Sequence, residues 1–210
     1  MSEFIFQTKR LCFNNMIIYK DITIPSDKVT FITGDSGCGK TTLLKLFNSS
    51  ISPSCGDVLY LGKSIAELDT IVYRKEVCLI SQSVFLFDSS IKENFKQFYE
   101  YRQQPMPSDD EIKSMLDICC IDFPLTKDCT TMSGGERQRV YMAIFLSFNP
   151  KVVLLDEPTS ALDSKNSHAV IENIIRYCKN NRISLIIISH DKSIVDSFSE
   201  NSVVIEGCVR

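Results

Sequence analysis

The stretch that decides the fold is Gly34-Asp35-Ser36-Gly37-Cys38-Gly39-Lys40-Thr41-Thr42. It matches the pattern Gly-x-x-x-x-Gly-Lys-Thr and lies between a β-branched run, residues 29–33, and a helical pattern that begins after Lys40. The glycines let the backbone turn its N–H groups toward an anion, and the start of a helix adds a favourable field. Lys40 supplies a positive charge, and the Thr41 hydroxyl is a ligand type that Mg²⁺ accepts. The stretch therefore predicts a phosphate-binding loop between a strand and a helix.

Length and composition predict one ordinary globular domain. The chain has 210 residues, of which 44% are hydrophobic and 23% charged. A net charge of -3 argues against a nucleic-acid partner, because such partners usually meet a basic surface. The apolar runs 152–155 and 185–188 are far shorter than the ~20 residues of a membrane-spanning helix. We therefore expect a soluble chain that reaches any membrane through a partner.

The cysteines carry no recognisable pattern. There are nine of them, an odd number, and none follows the spacing C-x-x-C. This favours scattered reduced thiols in a cytosolic protein over a disulfide framework or a metal site.

The periodicity of the remaining chain predicts an α/β fold. Strand-like segments occupy residues 4–6, 17–19, 22–24, 77–81, 152–155 and 185–188. Helical patterns follow Lys40, span residues 166–178, and begin after Ser108, where Glu111 completes a capping-box pattern. Apolar runs that alternate with helices indicate a mainly parallel sheet covered on both faces. We expect this core to carry an N-terminal antiparallel β portion and an inserted α-helical lobe of two or three helices, roughly 83–131.

Two acids directly follow the apolar run 152–155. A buried strand would deliver Asp156 at its carboxyl end beside the phosphate loop, where a carboxylate can hold Mg²⁺ or its water. Glu157 is then placed to orient or deprotonate an attacking water. The pattern is weak alone and gains its meaning from the phosphate loop.

A second glycine segment is Met132-Ser133-Gly134-Gly135-Glu136-Arg137-Gln138. Ser133 and Glu136 form a capping-box pattern, and the two glycines expose backbone N–H groups at the positive end of a helix. The segment is either a well-capped helix or a second anion site. The motif alone leaves both interpretations open.

The order of the motifs carries a family resemblance over essentially all 210 residues. Gln82 follows the strand-like run 77–81, Ser160-Ala161-Leu162-Asp163 follows the two acids, and His190 follows the run 185–188. Together with both glycine segments, this order resembles the ATP-binding cassette (ABC) ATPases, which are P-loop proteins that use ATP and Mg²⁺.

The resemblance implies a role for each matching residue. Glu157, His190 and Gln82 would serve catalysis, and Phe13 would stack on adenine. The implied metal residues are Thr41, Gln82 and Asp156. The implied nucleotide contacts are Phe13, Gly34, Asp35, Ser36, Gly37, Cys38, Gly39, Lys40, Thr41, Thr42, Ser133, Gly134, Gly135, Glu136 and Asp163.

The resemblance also implies partners. Two cassettes, identical or different, would pack head to tail, so that residues 133–135 of one close over ATP on the other. Residues 1–82 and 132–210 would form the ATP-binding core, and the lobe at 83–131 would contact an integral membrane transporter subunit. The chain would then lie at the cytoplasmic face of a membrane and bind no nucleic acid.

The leading functional hypothesis is the ATPase subunit of an ABC transporter. Residues 83–94 resemble the corresponding stretch of export-type cassettes, although residues 124–131 lack the acidic and glycine segment that exporters place there. The alternatives are a non-transport ABC ATPase of DNA repair or translation and a nucleotide-binding regulator in which Glu157 is idle. Repair members carry a long coiled coil between the two glycine segments, and this chain has no heptads there.

Overall fold

The computed structural model describes residues 3–14, 16–162, 164–206 and 208–209, without the side chains of 164, 165, 208 and 209. Two compact units are present. The first contains Met1–Leu79, Pro150–Glu157 and Arg182–Arg210, and the second contains Ile80–Asn149 and Pro158–Asn181.

The elements follow one another in α/β order. The strands are β1 (Phe4–Phe13), β2 (Ile17–Ile18), β3 (Thr23–Pro25), β4 (Val29–Thr33), β5 (Cys55–Tyr60), β6 (Lys63–Ser64), β7 (Val77–Ile80), β8 (Val152–Asp156), β9 (Ser184–Ile188), β10 (Asn201–Val204) and β11 (Cys208–Val209). The helices are α1 (Lys40–Phe47), α2 (Thr70–Glu76), α3 (Ile91–Arg102), α4 (Asp109–Ile118), α5 (Gly134–Ser147), α6 (Ser164–Asn180) and α7 (Lys192–Phe198). Short 3-10 turns occupy Ile65–Glu67 and Cys129–Thr131.

A five-stranded sheet carries the predicted buried strands. Its order is β10-β4-β9-β8-β7, and the pairs β10–β4, β4–β9 and β9–β8 are parallel. Every residue of β8 and β9 is buried, as expected for a sheet that is covered on both faces. The register pairs Asp156 with Ile188, so the carboxyl ends of β8 and β9 lie side by side. The parallel core predicted from the sequence is therefore confirmed.

The N-terminal strands form the predicted antiparallel portion. The order of this second sheet is β11-β2-β1-β5-β6, and β3 also pairs with β1. Its inner face belongs to the same hydrophobic core as α1, since Phe6 of β1 stacks on Phe47 of α1 with ring centroids 4.5 Å apart. The core of the first unit thus anchors the helix that follows the glycine loop.

One expectation about the cysteines is wrong. Cys12 and Cys55 form a disulfide, with their Cα atoms 5.1 Å apart. The two residues are direct partners in the antiparallel pairing of β1 with β5, which sequence spacing does not reveal. Six other cysteines are outside this disulfide, as the sequence predicts: Cys38, Cys78, Cys119, Cys120, Cys129 and Cys178.

The second unit contains α3, α4, α5 and α6, all of them helical as the patterns indicate. Ser108 and Glu111 form both hydrogen bonds of the predicted capping box at the start of α4. The lobe boundaries at 83 and 131 stay a prediction. None of the helices in the described part of the chain combines the length and apolar character that crossing a membrane requires.

Candidate functional site

The glycine loop between β4 and α1 has a backbone that only glycine accommodates well. Gly34 has a φ of 141°, and a Cβ there would lie 2.3 Å from the carbonyl oxygen of Ile205. Gly39 has a φ of 100°, and a Cβ there would lie 2.9 Å from the Tyr19 hydroxyl. Both positions combine a left-handed conformation with close neighbouring atoms. The predicted strand, loop and helix are therefore present.

Lys40 is held by the loop itself. Its side chain is buried, and Nζ donates to the carbonyl oxygens of Gly34 at 2.9 Å and Asp35 at 2.8 Å. The same Nζ lies 3.9 Å from the Cys38 thiol, which is buried beneath the loop. The ammonium is thereby fixed beside the backbone turn that forms the predicted phosphate cradle.

Thr41 and Asp156 form the candidate metal site. The Thr41 hydroxyl donates to Oδ1 of Asp156 at 3.0 Å. Burial raises the pKa of Asp156, while the hydrogen bond from Thr41 acts in the opposite direction. A hydroxyl and a carboxylate are hard oxygen donors of the kind that Mg²⁺ prefers, and a cation would neutralise the buried charge. These two residues therefore fit the predicted ion.

Glu157 and His190 meet at the mouth of the site. Oε1 of Glu157 lies 3.1 Å from Nε2 of His190. Glu157 has a φ of 50°, a left-handed conformation uncommon outside glycine, and its N–H donates to the carbonyl oxygen of Ile188. Backbone strain of this kind concentrates at functional sites. The predicted base and the predicted histidine are thus brought together.

A cavity of about 200 Å³ connects these groups. It is lined by Ile17, Ser36, Gly37, Gly39, Lys40, Thr41, Thr42, Glu157 and His190. Most of the lining belongs to the residue set predicted from the sequence. The cavity therefore lies between the phosphate loop and the Glu157–His190 pair.

The N-terminal sheet adds two residues that the sequence motifs did not reveal. Ile17 lines the cavity, and the hydroxyl of Tyr19 donates to the carbonyl oxygen of Gly39 at 2.9 Å. Phe13, the predicted adenine contact, lies outside the lining but pairs with Ile17 across β1 and β2. It is half-buried against the core, and its stacking role stays a prediction.

Gln82 and the second glycine segment belong to the second unit. Gln82 is exposed in the connection between β7 and α3. Its predicted role at the metal stays a prediction. Asp163, a predicted nucleotide contact, lies outside the described residues.

The second glycine segment begins α5 with the predicted capping box. The Ser133 N–H donates to Glu136 Oε2 at 2.8 Å, and the Glu136 N–H donates to Ser133 Oγ at 3.3 Å. The hydrogen bonds from the Ser133 backbone and side chain lower the pKa of Glu136. A Cβ on Gly134 would meet no atom within 4 Å, whereas one on Gly135 would lie 2.7 Å from the carbonyl oxygen of Ala161. Gly134 is thus open on its outer side, and Gly135 is closely packed.

A phosphate loop, an acid pair at the end of β8 and a histidine after β9 define a P-loop ATPase. The family model described as ABC transporter matches residues 20–160. The chain belongs to this family of ATP-binding cassette ATPases.

Known relatives cover most of the chain. It is 38% identical over 174 residues to the probable iron export ATP-binding protein FetA of Escherichia coli K12, covering 82% of this chain and 76% of FetA. It is 37% identical over 209 residues to the phosphate import ATP-binding protein PstB of Saccharolobus solfataricus, covering 90% of this chain and 80% of PstB.

Solved structures agree with the fold. The cbiO1 structure from Clostridium perfringens, part of the ABC transporter complex cbiONQ, matches with a TM-score of 0.84 and 26% identity over 98% of this chain and 86% of that one. A bacterial Atm1-family ABC exporter with ATP bound matches with a TM-score of 0.85 over 99% of this chain and 38% of the exporter. At 23% identity, this second match supports the fold alone.

Proposed function

We propose that this ATPase uses Mg²⁺-bound ATP to close a pair of cassettes and to drive a membrane-spanning partner. The observation that carries the proposal is the Glu157–His190 pair beside a cavity lined by the phosphate loop. This geometry supports a nucleotide on Lys40 whose terminal phosphate faces a carboxylate and an imidazole across the cavity.

The proposed chemistry assigns each residue one task. Backbone N–H groups of the loop and the Lys40 ammonium hold the phosphates, and Thr41 and Asp156 hold the cation. When bound, Mg²⁺ neutralises charge on the phosphate oxygens. Glu157 accepts a proton from the attacking water, and His190 orients Glu157 through their contact and faces the terminal phosphate.

The second glycine segment supports the paired arrangement. Ser133 and Gly134 are exposed at the start of α5, where the helix dipole favours an anion. We assign that anion to ATP held by another cassette, identical or different. Closure would then depend on ATP, because the nucleotide contributes contacts only in the closed pair.

The transport role draws on the relatives and on residues 83–94. FetA is named for export and PstB for import. The named relatives therefore support a transport role but differ in its direction. The resemblance of residues 83–94 to export-type cassettes favours export for this chain. A chain of this kind would lie at the cytoplasmic face of a membrane, attached through its partner.

Two measurements test the proposal separately. Phosphate release from Mg²⁺-ATP by the purified chain, compared with Glu157→Gln, tests the ATPase assignment. If the native chain releases no phosphate, it is a nucleotide-binding regulator rather than this enzyme. If Glu157→Gln has full activity, Glu157 is not the catalytic base. Affinity capture from solubilised membranes tests the partner, and we expect an integral membrane protein. Recovery of ribosomes or DNA instead would contradict the transport role.

A further inference from the structure

Arg137 lies one turn into α5 and extends its guanidinium back across the segment that precedes the second glycine segment. Nη1 donates to the carbonyl oxygen of Cys129 at 2.7 Å. Nη2 lies 3.5 Å from the carbonyl oxygen of Leu86, at the outer limit of a hydrogen bond. One side chain therefore connects the first turn of α5 with two loops that are distant in sequence.

The two loops are also joined to each other. The Cys129 N–H donates to the carbonyl oxygen of Ser89 at 3.0 Å, and residues Ser90 and Asp128 form an isolated β-bridge. Just beyond, the N–H groups of Ile91 and Lys92 donate to carbonyl oxygens at Lys127 and Leu125. Segment 86–92 and segment 125–129 thus form one hydrogen-bonded layer.

Asn94 fixes this layer from within. It is fully buried on α3, and its Oδ1 accepts from the Phe87 N–H at 2.8 Å. Its Nδ2 donates to the carbonyl oxygens of Phe87 at 3.1 Å and Ser90 at 3.0 Å, and lies 3.6 Å from the Cys129 sulfur. Because a buried amide with broken hydrogen bonds is costly, the layer keeps one conformation.

An exposed aromatic surface is formed by Phe85, which precedes segment 86–92, and Tyr101 near the end of α3. Phe85 is 58% exposed and Tyr101 is 77% exposed. Both rings contact Phe87, with centroids 4.9 Å and 6.2 Å away. A displacement of this surface would therefore be transmitted to the backbone that Asn94 and Arg137 hold.

We propose that Arg137 is a positioning residue that holds Ser133–Gly135 in a fixed relation to residues 86–90, so that the position of one loop sets the position of the other. The proposal rests on the proposed function only in taking Ser133–Gly135 as the contact with ATP on a second cassette. The geometry of the link belongs entirely to the second unit.

The test compares Arg137→Ala with Arg137→Lys and with Arg139→Ala. Arg139 lies on the same helix and donates to the carbonyl oxygen of Cys120 at 3.0 Å, away from residues 86–90, so it is a matched control. In Arg137→Ala we expect kcat for ATP hydrolysis to fall roughly fivefold or more, and the Hill coefficient to fall as well. The affinity of the single cassette for ATP should be unchanged. Arg137→Lys should recover part of kcat, since an ammonium can still reach one carbonyl oxygen.

Amide hydrogen exchange supplies a readout that does not depend on hydrolysis. Arg137→Ala should speed exchange at residues 86–90 and 129–136 together, and Arg139→Ala should leave both segments protected. Unchanged exchange in both segments of Arg137→Ala would overturn the proposal even if the chain proves to be an active ATPase. Equal losses of kcat in Arg137→Ala and Arg139→Ala would also overturn it, because general destabilisation would then be the cause.

Discussion

The two glycine segments of this chain differ in structure: the first lines a cavity, and the second begins a helix with an open outer side. Residues 34–42 have left-handed glycines, a buried lysine and a cavity enclosed by Thr41, Glu157 and His190. Residues 132–138 form a regular capped helix start, where Gly134 has open space on its outer side. The first segment lines a cavity, and the second presents an open helix start.

We therefore expect the function of the second segment, but not that of the first, to depend on a second cassette. Substitutions in the phosphate loop should alter what one cassette does alone. Substitutions at Gly134 should leave the single cassette intact and act only when a second cassette is present. The following predictions test that division.

The largest effect is expected at Glu157. Loss of a general base lowers the rate by roughly 10²- to 10⁴-fold, so Glu157→Gln should lose nearly all hydrolysis. Binding of ATP should persist, because Lys40 and Thr41 are unchanged, and ATP should trap the closed pair. Phosphate release and size-exclusion chromatography with Mg²⁺-ATP measure both outcomes. A variant that hydrolyses normally would remove Glu157 from the chemistry.

Alkylation of Cys38 should block ATP hydrolysis, because an adduct would crowd the phosphate loop of the cassette that carries it. The thiol is buried beneath the phosphate loop, 3 Å from the position of a Cβ on Gly34, so an adduct has to displace the loop. The Cys38→Ala variant, treated with the same reagent, is the control. Full activity after complete modification mapped to Cys38 would contradict the prediction.

Gly134→Ala and Gly135→Ala form a matched pair. A methyl at Gly135 meets Ala161 and Leu162, so we expect a loss of about 1–3 kcal/mol in the free energy of unfolding. Gly134→Ala should unfold like the native chain. If a second cassette packs against Gly134, the added methyl of Gly134→Ala should overpack that contact by a similar amount and lower kcat roughly 5- to 150-fold.

Chemical denaturation and steady-state kinetics at several protein concentrations distinguish the two variants. Native kinetics in Gly134→Ala would mean that no partner closes over this helix start.

The smallest effects are expected from two acids whose pKa values shift in opposite directions. Burial raises the pKa of Asp156 in the folded chain. Its contribution to the free energy of unfolding is therefore fully present below the pKa of an Asp in the unfolded chain, and is lost as pH rises through the pKa of the folded chain. Hydrogen bonds lower the pKa of Glu136 in the folded chain. Its contribution to the free energy of unfolding is therefore fully present above the pKa of a Glu in the unfolded chain, and is lost as pH falls through the pKa of the folded chain.

Thermal unfolding at neutral pH without nucleotide should therefore give Tm changes of opposite sign. Asp156→Asn should raise Tm, and Glu136→Gln should lower it slightly. Both differences should shrink as pH falls below the carboxyl range. Changes of the same sign would mean that the two carboxyl environments have been misassigned.

Much of the fold could be predicted because apolar runs and caps are local signals. β4, β8 and β9 follow from β-branched and apolar runs, and α4 follows from its capping box. The sequence does not predict β10, because Asn201-Ser202-Val203-Val204 has only two apolar residues. This strand forms through its parallel pairing with β4. The Cys12–Cys55 disulfide was missed because it depends on cross-strand register.

The candidate site was predictable to the extent that motifs describe it. Lys40, Thr41, Asp156, Glu157 and His190 were placed by residue type and order, and the structure brings them together. The contacts that shape the site are tertiary and leave no pattern. Examples are the hydroxyl of Tyr19 on Gly39 and the left-handed backbone of Glu157.

The buried ammonium of Lys40 has a consequence for how ATP binding responds to salt. The ammonium is buried and bonded to the carbonyl oxygens of Gly34 and Asp35, so a phosphate that binds to it removes little further water. Most of its desolvation occurs when the chain folds. Buried charges are also screened less than exposed ones. The contribution of Lys40 to ATP affinity should therefore change little with ionic strength, unlike that of a lysine on an open surface.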